Sequence, residues 1–261
     1  MKLAARGAFA SLVVGGVLAI GSVAPTYAAG AASPLVPETG TPAPMRQCVA
    51  EAAAAKDGSV GGLRGLGDCE IDRRLDAITK LQSRVADAAG LAPGDRDALN
   101  AQLAADTGGL TALRAKIDGE SDVQVLKTDL REIATDFRIY LLMGPKVAEV
   151  IAADSELAAA ARLGTQAVRL QARIDADKAA GKDVTTAQAA LDAMTAKASQ
   201  VAPLVTGVPA AVLPLTPAQY NAGTAKPILV SSRTGIQGGR GLLVGARADE
   251  HACLAALKAL G

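Results

Sequence analysis

The sequence predicts an all-α fold: an elongated, antiparallel, coiled-coil-like helical bundle behind an N-terminal signal peptide and a disordered linker. Three observations predict it. Of the 261 residues 50% are hydrophobic but only 2% are aromatic, with no Trp. A thick globular core relies on aromatic rings that bury roughly 150–250 Å² each, whereas a chain apolar through Ala, Val and Leu brings helices together along thin seams. From Asp68 onward the apolar residues recur with a helical period. The connections between these runs are short and suit antiparallel neighbours. The net charge of +1 implies no broad basic field, so nucleic acid is not an expected partner.

Residues 1–28 have the three parts of a secretory signal. Lys2 and Arg6 give the positive start, Ala8 to Ile20 the uncharged apolar run, and Thr26-Tyr27-Ala28 the cleavage site, with Ala29-Gly30-Ala31 as a second choice. The apolar run is shorter than the ~20 residues of a comfortable membrane span. No stable span is therefore expected after cleavage, with an uncleaved anchor as the alternative. Without Lys2 and Arg6, 25 basic residues face 26 acidic ones. Residues 29–46 read as a disordered Pro/Ala/Thr linker. Val36-Pro37-Glu38-Thr39-Gly40 within it looks like a wall-sorting motif, but no apolar tail and basic residues follow at the C-terminus. The expected location is secreted, extracellular or associated with the cell envelope.

Residues 47–67 read as a short helix, Cys48–Lys56, and a glycine-rich loop. The loop, Gly58-Ser59-Val60-Gly61-Gly62-Leu63-Arg64-Gly65-Leu66-Gly67, follows no strand and ends in no Gly-Lys-Ser/Thr. It therefore reads as flexible chain and not as a phosphate cradle. Export favours a disulfide. Cys48 and Cys69 would close a ring of about 22 residues, worth on the order of 3 kcal/mol. Cys253 is either a small buried residue of the last helix or the alternative partner of Cys69.

Residues 68–261 read as the bundle. Ile71, Leu75, Ile78, Leu81 and Val85 mark the first long helix, with Asp68 as its N-cap. After the turn Leu91–Asp95, Leu99, Leu103, Leu110, Leu113 and Ile117 form a heptad seam with Asp106 in one slot. The third pattern is Leu126, Leu130, Ile133, Phe137 and Tyr140, continued in the same register at Val147 and Ile151. Gly144-Pro145 interrupts it, since Pro removes a backbone hydrogen bond and clashes with the carbonyl of Leu141. The expectation is one long kinked helix or two helices meeting at an extended joint over residues 139–146. Phe137 and Tyr140 are expected to fill the widest part of the seam, with Arg138 paired at its rim. The competing reading makes Phe137, Arg138, Tyr140, Gly144 and Pro145 a recognition patch at the kink.

Leu163, Ala167, Leu170 and Ile174 carry the helix toward Gly181, and Asp183 caps a shorter one through Leu191, Met194 and Ala198. A Pro/Val/Gly/Leu-rich stretch from Pro203 ends at Thr216-Pro217, the start of a single turn holding Tyr220. The last helix begins near Pro227. Leu229, Ile236, Leu243 and Leu257 mark its seam, beside a row of Ser232, Gly239, Ala246, Cys253 and Leu260. Each interior Gly costs roughly 1 kcal/mol relative to Ala, so a weak spot is expected between Gly235 and Gly245.

From about Cys69 onward the chain resembles a group of uncharacterised secreted Ala-rich helical-bundle proteins of high-GC Gram-positive bacteria. The matching residues are Cys69-Glu70-Ile71-Asp72-Arg73-Arg74-Leu75, Leu113-Arg114-Ala115-Lys116-Ile117-Asp118, Thr135-Asp136-Phe137-Arg138-Ile139-Tyr140 with Gly144-Pro145-Lys146, Gly181-Lys182-Asp183, and Leu215-Thr216-Pro217-Ala218-Gln219-Tyr220. The resemblance implies export and a helical fold, and brings no activity, ligand or catalytic residue.

No catalytic constellation emerges. His251 is the single histidine, cannot build a zinc site alone, and does not face Cys253 two residues on. The acidic residues alternate with Arg and Lys, as solvated helix faces do. No catalytic residue, cofactor or metal is expected. The expected function is an exported, non-catalytic scaffold or interaction protein at the cell surface, meeting an envelope protein or polymer through long charged helix faces. The alternative is a small-ligand binding module with a pocket near the Gly144-Pro145 kink.

Overall fold

The computed structural model describes residues 48–261. The signal peptide, the linker and the sorting-like motif lie outside the described residues. All regular structure among the described residues is helical. A short α1 (Val49–Ala54) precedes α2 (Val60–Asp87), α3 (Pro93–Gly119) and α4 (Val123–Thr135), which pack on one another. A π-turn (Ile139–Met143) leads into α5 (Gly144–Ala179), which packs with α6 (Thr185–Ser199) and the last helix, α10 (Ala225–Ala259). Three single turns, α7 (Val201–Val205), α8 (Val208–Val212) and α9 (Pro217–Asn221), join α6 to α10.

The α3 seam is buried as the heptad spacing predicts: Leu99, Leu103, Leu110, Leu113 and Ile117 all lie in the core. α2 and α3 run antiparallel, with Arg64 of α2 donating to the Glu120 carbonyl beyond α3 and Arg96 of α3 to the Val85 carbonyl. Gln171 and Gln188 exchange amide hydrogen bonds of 3.0 Å between α5 and α6. α5 and α10 run parallel, since Glu149 meets Arg233 and Glu156 approaches Arg240.

The expected loop over residues 58–67 is instead helix from Val60 on, so α2 crosses the boundary expected at 67/68. Its N-cap is Ser59, whose Oγ accepts from the Gly62 amide at 3.1 Å, and not Asp68. Two of the glycines, Gly62 and Gly67, serve packing. A Cβ on Gly62 would stand 2.7 Å from the Ala54 carbonyl oxygen, and one on Gly67 would stand 3.0 Å from Leu130 Cδ2. Close helix approach thus compensates for their low helix propensity. The Cys48 and Cys69 sulfurs are 2.04 Å apart, at bonding distance, and fasten α1 to α2. Cys253 is buried in α10 with a free thiol.

α10 is unbroken from 225 to 259, through the span between Gly235 and Gly245 where a weak spot is expected. A Cβ on Gly235 would meet the Leu204 carbonyl oxygen at 2.6 Å, so the glycine lets α7 lie directly on α10. Gly239 likewise admits the Glu156 carboxylate. Ser232, Gly239, Ala246 and Cys253 are buried as their row predicts. Thr216 and Gln219 form a reciprocal capping box at α9.

Candidate functional site at the π-turn

The chain breaks before Gly144-Pro145, not at it. α4 ends at Thr135, where Asp136 N donates to the Glu132 carbonyl. Arg138 has ψ of 52°, off the helix, and Ile139 N donates to the Phe137 carbonyl at 2.8 Å. The backbone then underwinds: Leu142 N and Met143 N both donate to the Arg138 carbonyl, and Gly144 N donates to Ile139 O. The i→i+5 bonds make this a π-turn, neither a kinked α-helix nor an extended joint. Pro145 lies in the first turn of α5, where its missing N–H leaves no hydrogen bond unmade.

This geometry separates residues that an α-helical register would group. Ile139, Leu142 and Met143 turn inward and are buried, whereas Tyr140 and Leu141 are exposed. Tyr140 therefore does not fill the seam with Phe137, as the sequence suggests. Its hydroxyl donates to the Arg73 carbonyl at 3.0 Å, with the Arg74 guanidinium 5.7 Å from its ring. Phe137 is half-buried over Gly109, where a Cβ would stand 2.5 Å from its ring. Arg138 Nε donates to Asn221 Oδ1 at 2.6 Å, and its guanidinium lies 5.6 Å from the Tyr220 ring. Asn221 Nδ2 in turn donates to the Thr135 carbonyl, fastening the break to α9.

Beside the π-turn lies a cavity of about 370 Å³. Leu142 and Met143 form one wall, and Leu213 and Leu215, between α8 and α9, form another. The charged lining consists of Asp106, Lys146 and Arg138. Lys146 is buried, and its ammonium donates to Gln102 Oε1 at 2.7 Å, Leu215 O at 2.8 Å and Leu213 O at 3.1 Å. Burial lowers its pKa to about 8, opposed by the Asp106 carboxylate. Asp106 is half-buried; burial raises its carboxyl above the ordinary value and Lys146 pulls it back. With its three protons engaged, Lys146 contributes positive potential to the cavity rather than a free donor. Lys226 lies 5.3 Å from the Tyr220 ring that Arg138 also faces.

Of the residues singled out from the sequence, the structure brings Arg138 to the cavity and sets Gly144 and Pro145 next to its walls, while Phe137 and Tyr140 face elsewhere. Lys146, Gln102 and the 213–217 segment escaped sequence reasoning. Asp106 carried a signal, as an acid in an apolar seam needs a compensating partner. His251 is exposed on α10. Among the described residues no group of three or more His, Cys, Asp or Glu could hold a metal ion, and no helix is long and apolar enough to cross a membrane. Comparison with known protein families, with curated proteins and with solved structures found no match.

Proposed function

We propose that this protein is an exported, non-catalytic binding module that takes a small amphipathic anion into the cavity beside the π-turn. One observation carries the reading: two cations, Lys146 and Arg138, and a single carboxylate, Asp106, line the cavity among apolar side chains. At about 30 Å³ per non-hydrogen atom, the size of a water's share of liquid, the cavity holds roughly a dozen such atoms. That suits a medium-chain or aryl carboxylate with its acid group toward Arg138. The signal-like first 28 residues and the cysteine pair at bonding distance support export to the envelope.

Thermal unfolding with hexanoate, octanoate and the matching alcohols and amines tests the reading. The acids should raise Tm, the alcohols should do so less and the amines not at all. Arg138→Ala should weaken the response, and Met143→Trp, which fills the cavity, should abolish it with helix content intact. Equal responses to acids and amines, or none to any, would remove the proposal.

A second reading, an interaction scaffold at the cell surface, draws on the charge distribution. Residues 48–135 hold eleven Lys and Arg against fifteen Asp and Glu, a net of −4, while residues 136–261 hold thirteen against ten, a net of +3. The cations of the second half gather on α5 and α10.

A further inference from the structure

The outer face of α10 carries a regular row of cations, and its packing on α5 engages two of them. Lys226, Arg233, Arg240 and Arg247 stand seven residues apart, and all four are exposed. At about 1.5 Å rise per residue they form a row roughly 32 Å long with a cation every ~10.5 Å. Residues 225–248 contain these four cations and no carboxylate. Parallel to α10, residues 157–174 of α5 add Arg162, Arg169 and Arg173, again with no carboxylate. Arg233 and Arg240 reach the buried Glu149 and Glu156 beneath the row, at 3.0 and 4.0 Å, yet their own side chains stay 54% and 72% exposed.

Charge alone would suit any polyanion; the neighbouring rows narrow the partner. Val230, Gln237, Val244 and His251 form a second exposed heptad row, and the two valines are 61% and 64% exposed. A third exposed row, Thr234, Gly241 and Ala248, is small, and a Cβ on Gly241 would meet nothing within 4 Å. Two exposed valines beside a small row, flanked by a basic one, give a surface on which a second helix can pack closely while heptad-spaced charges choose the partner. A flexible polyanion would use the cations but neither the exposed valines nor the smooth lane beside them.

We propose that the outer face of α10 is a docking surface for an amphipathic helix of another protein, with a small-residue seam and acidic residues every seventh position. This deepens the scaffold reading and is independent of the cavity. The partner helix lies along α10 and meets Lys226, Arg233, Arg240 and Arg247 with its carboxylates while Val230 and Val244 enter its seam.

The test uses the full chain and a synthetic peptide of about four heptads, with Ala and Leu in the seam and Glu at each seventh flanking position. A control peptide has the same composition with the glutamates at irregular spacing. Fluorescence anisotropy at low salt should show the heptad peptide binding about tenfold tighter than the control. Arg247→Glu and, separately, Val244→Glu should each weaken it about fivefold or more, since both side chains are exposed and neither change disturbs the core. Octanoate should shift Tm equally in both variants and the wild type if the cavity reading holds; its failure to shift any of them would count against the cavity alone. Equal binding of the two peptides, no binding of either, loss with Arg247→Glu but not Val244→Glu, or tighter binding of inorganic polyphosphate or anionic lipid vesicles would overturn the proposal.

Discussion

Phe137 and Tyr140 lie three residues apart, yet the π-turn sends them to different surroundings, and their substitutions should differ accordingly. Phe137→Ala empties the notch over Gly109 and should cost about 2–3 kcal/mol, below the range for fully buried rings because the residue is half-buried. Tyr140→Phe removes one partly solvated hydrogen bond to Arg73 and should cost at most about 1 kcal/mol. Urea titration distinguishes the two; equal losses would place both rings in the core. Lys146 makes a different prediction. Below pH 8 it is charged in both the folded and unfolded states, so its burial penalty is fully present. As pH rises from about 8 toward 10.5, the folded state releases the proton first, the penalty is relieved, and stability increases by on the order of 1–3 kcal/mol. Lys146→Met should lack this rise. The wild-type-minus-variant difference between pH 7.5 and 10.5 reads it directly, and a flat difference would show that Lys146 is not desolvated.

Among the helices, the glycines of α10 divide into those that carry a contact and those that do not. Gly235→Ala should destabilise by about 1–3 kcal/mol despite a propensity gain near 1 kcal/mol, because the new methyl meets a backbone carbonyl that α7 cannot readily move. Gly241→Ala, with open space around it, should stabilise by up to about 1 kcal/mol. Thermal melts of the two variants should shift in opposite directions; shifts of the same sign would refute the packing account. The same distinction explains what could be read in advance. The α3 seam and the buried rows of α10 were legible because each helix turn contributes an apolar residue whatever lies opposite. The start of α2 was not, because its glycines read as loop until Ala54 and Leu130 are known to press against them. The π-turn was hidden in a register that periodicity carries smoothly from Leu126 to Ile151. Of the cavity, only Arg138 and the suspect Asp106 could be suspected in advance, since Leu213 and Leu215 reach Lys146 from nearly seventy residues away.

Across the whole molecule, the first turns of α5 join the two helical sets and concentrate buried charge. Asp154 accepts from Ala92 N at 2.7 Å, tying α5 to the turn before α3, and Lys146, Glu149, Asp154 and Glu156 are all buried. Burial raises the carboxyls of Glu149 and Glu156, and Arg233 and Arg240 only partly offset it. Among the described residues, both Glu156 oxygens lack a hydrogen-bond partner. Asp95 is raised by burial and by the neighbouring Asp154, and Asp106 by burial. A carboxyl raised on folding holds its proton more tightly in the folded state, so its stabilising contribution is full below the unfolded pKa and is lost as pH rises through the folded one. The window opens at the ordinary values, 3.8 for Asp and 4.5 for Glu, and extends upward. The carboxyls lowered by hydrogen bonds, Asp57, Asp177 and Asp183, act below 3.8 and barely enter it. Stability should therefore fall from about pH 4.5 toward neutrality, then recover above pH 8 as Lys146 discharges, leaving a shallow minimum near neutral pH. The double variant Glu149→Gln/Glu156→Gln should flatten the acid side while leaving the alkaline rise in place. Urea unfolding at unit steps from pH 4.5 to 10 follows both limbs. Stability that increases from pH 4.5 to 7 would mean that water or the arginines solvate these carboxylates as well as bulk solvent does, and that the α5 seam carries no penalty for its charge.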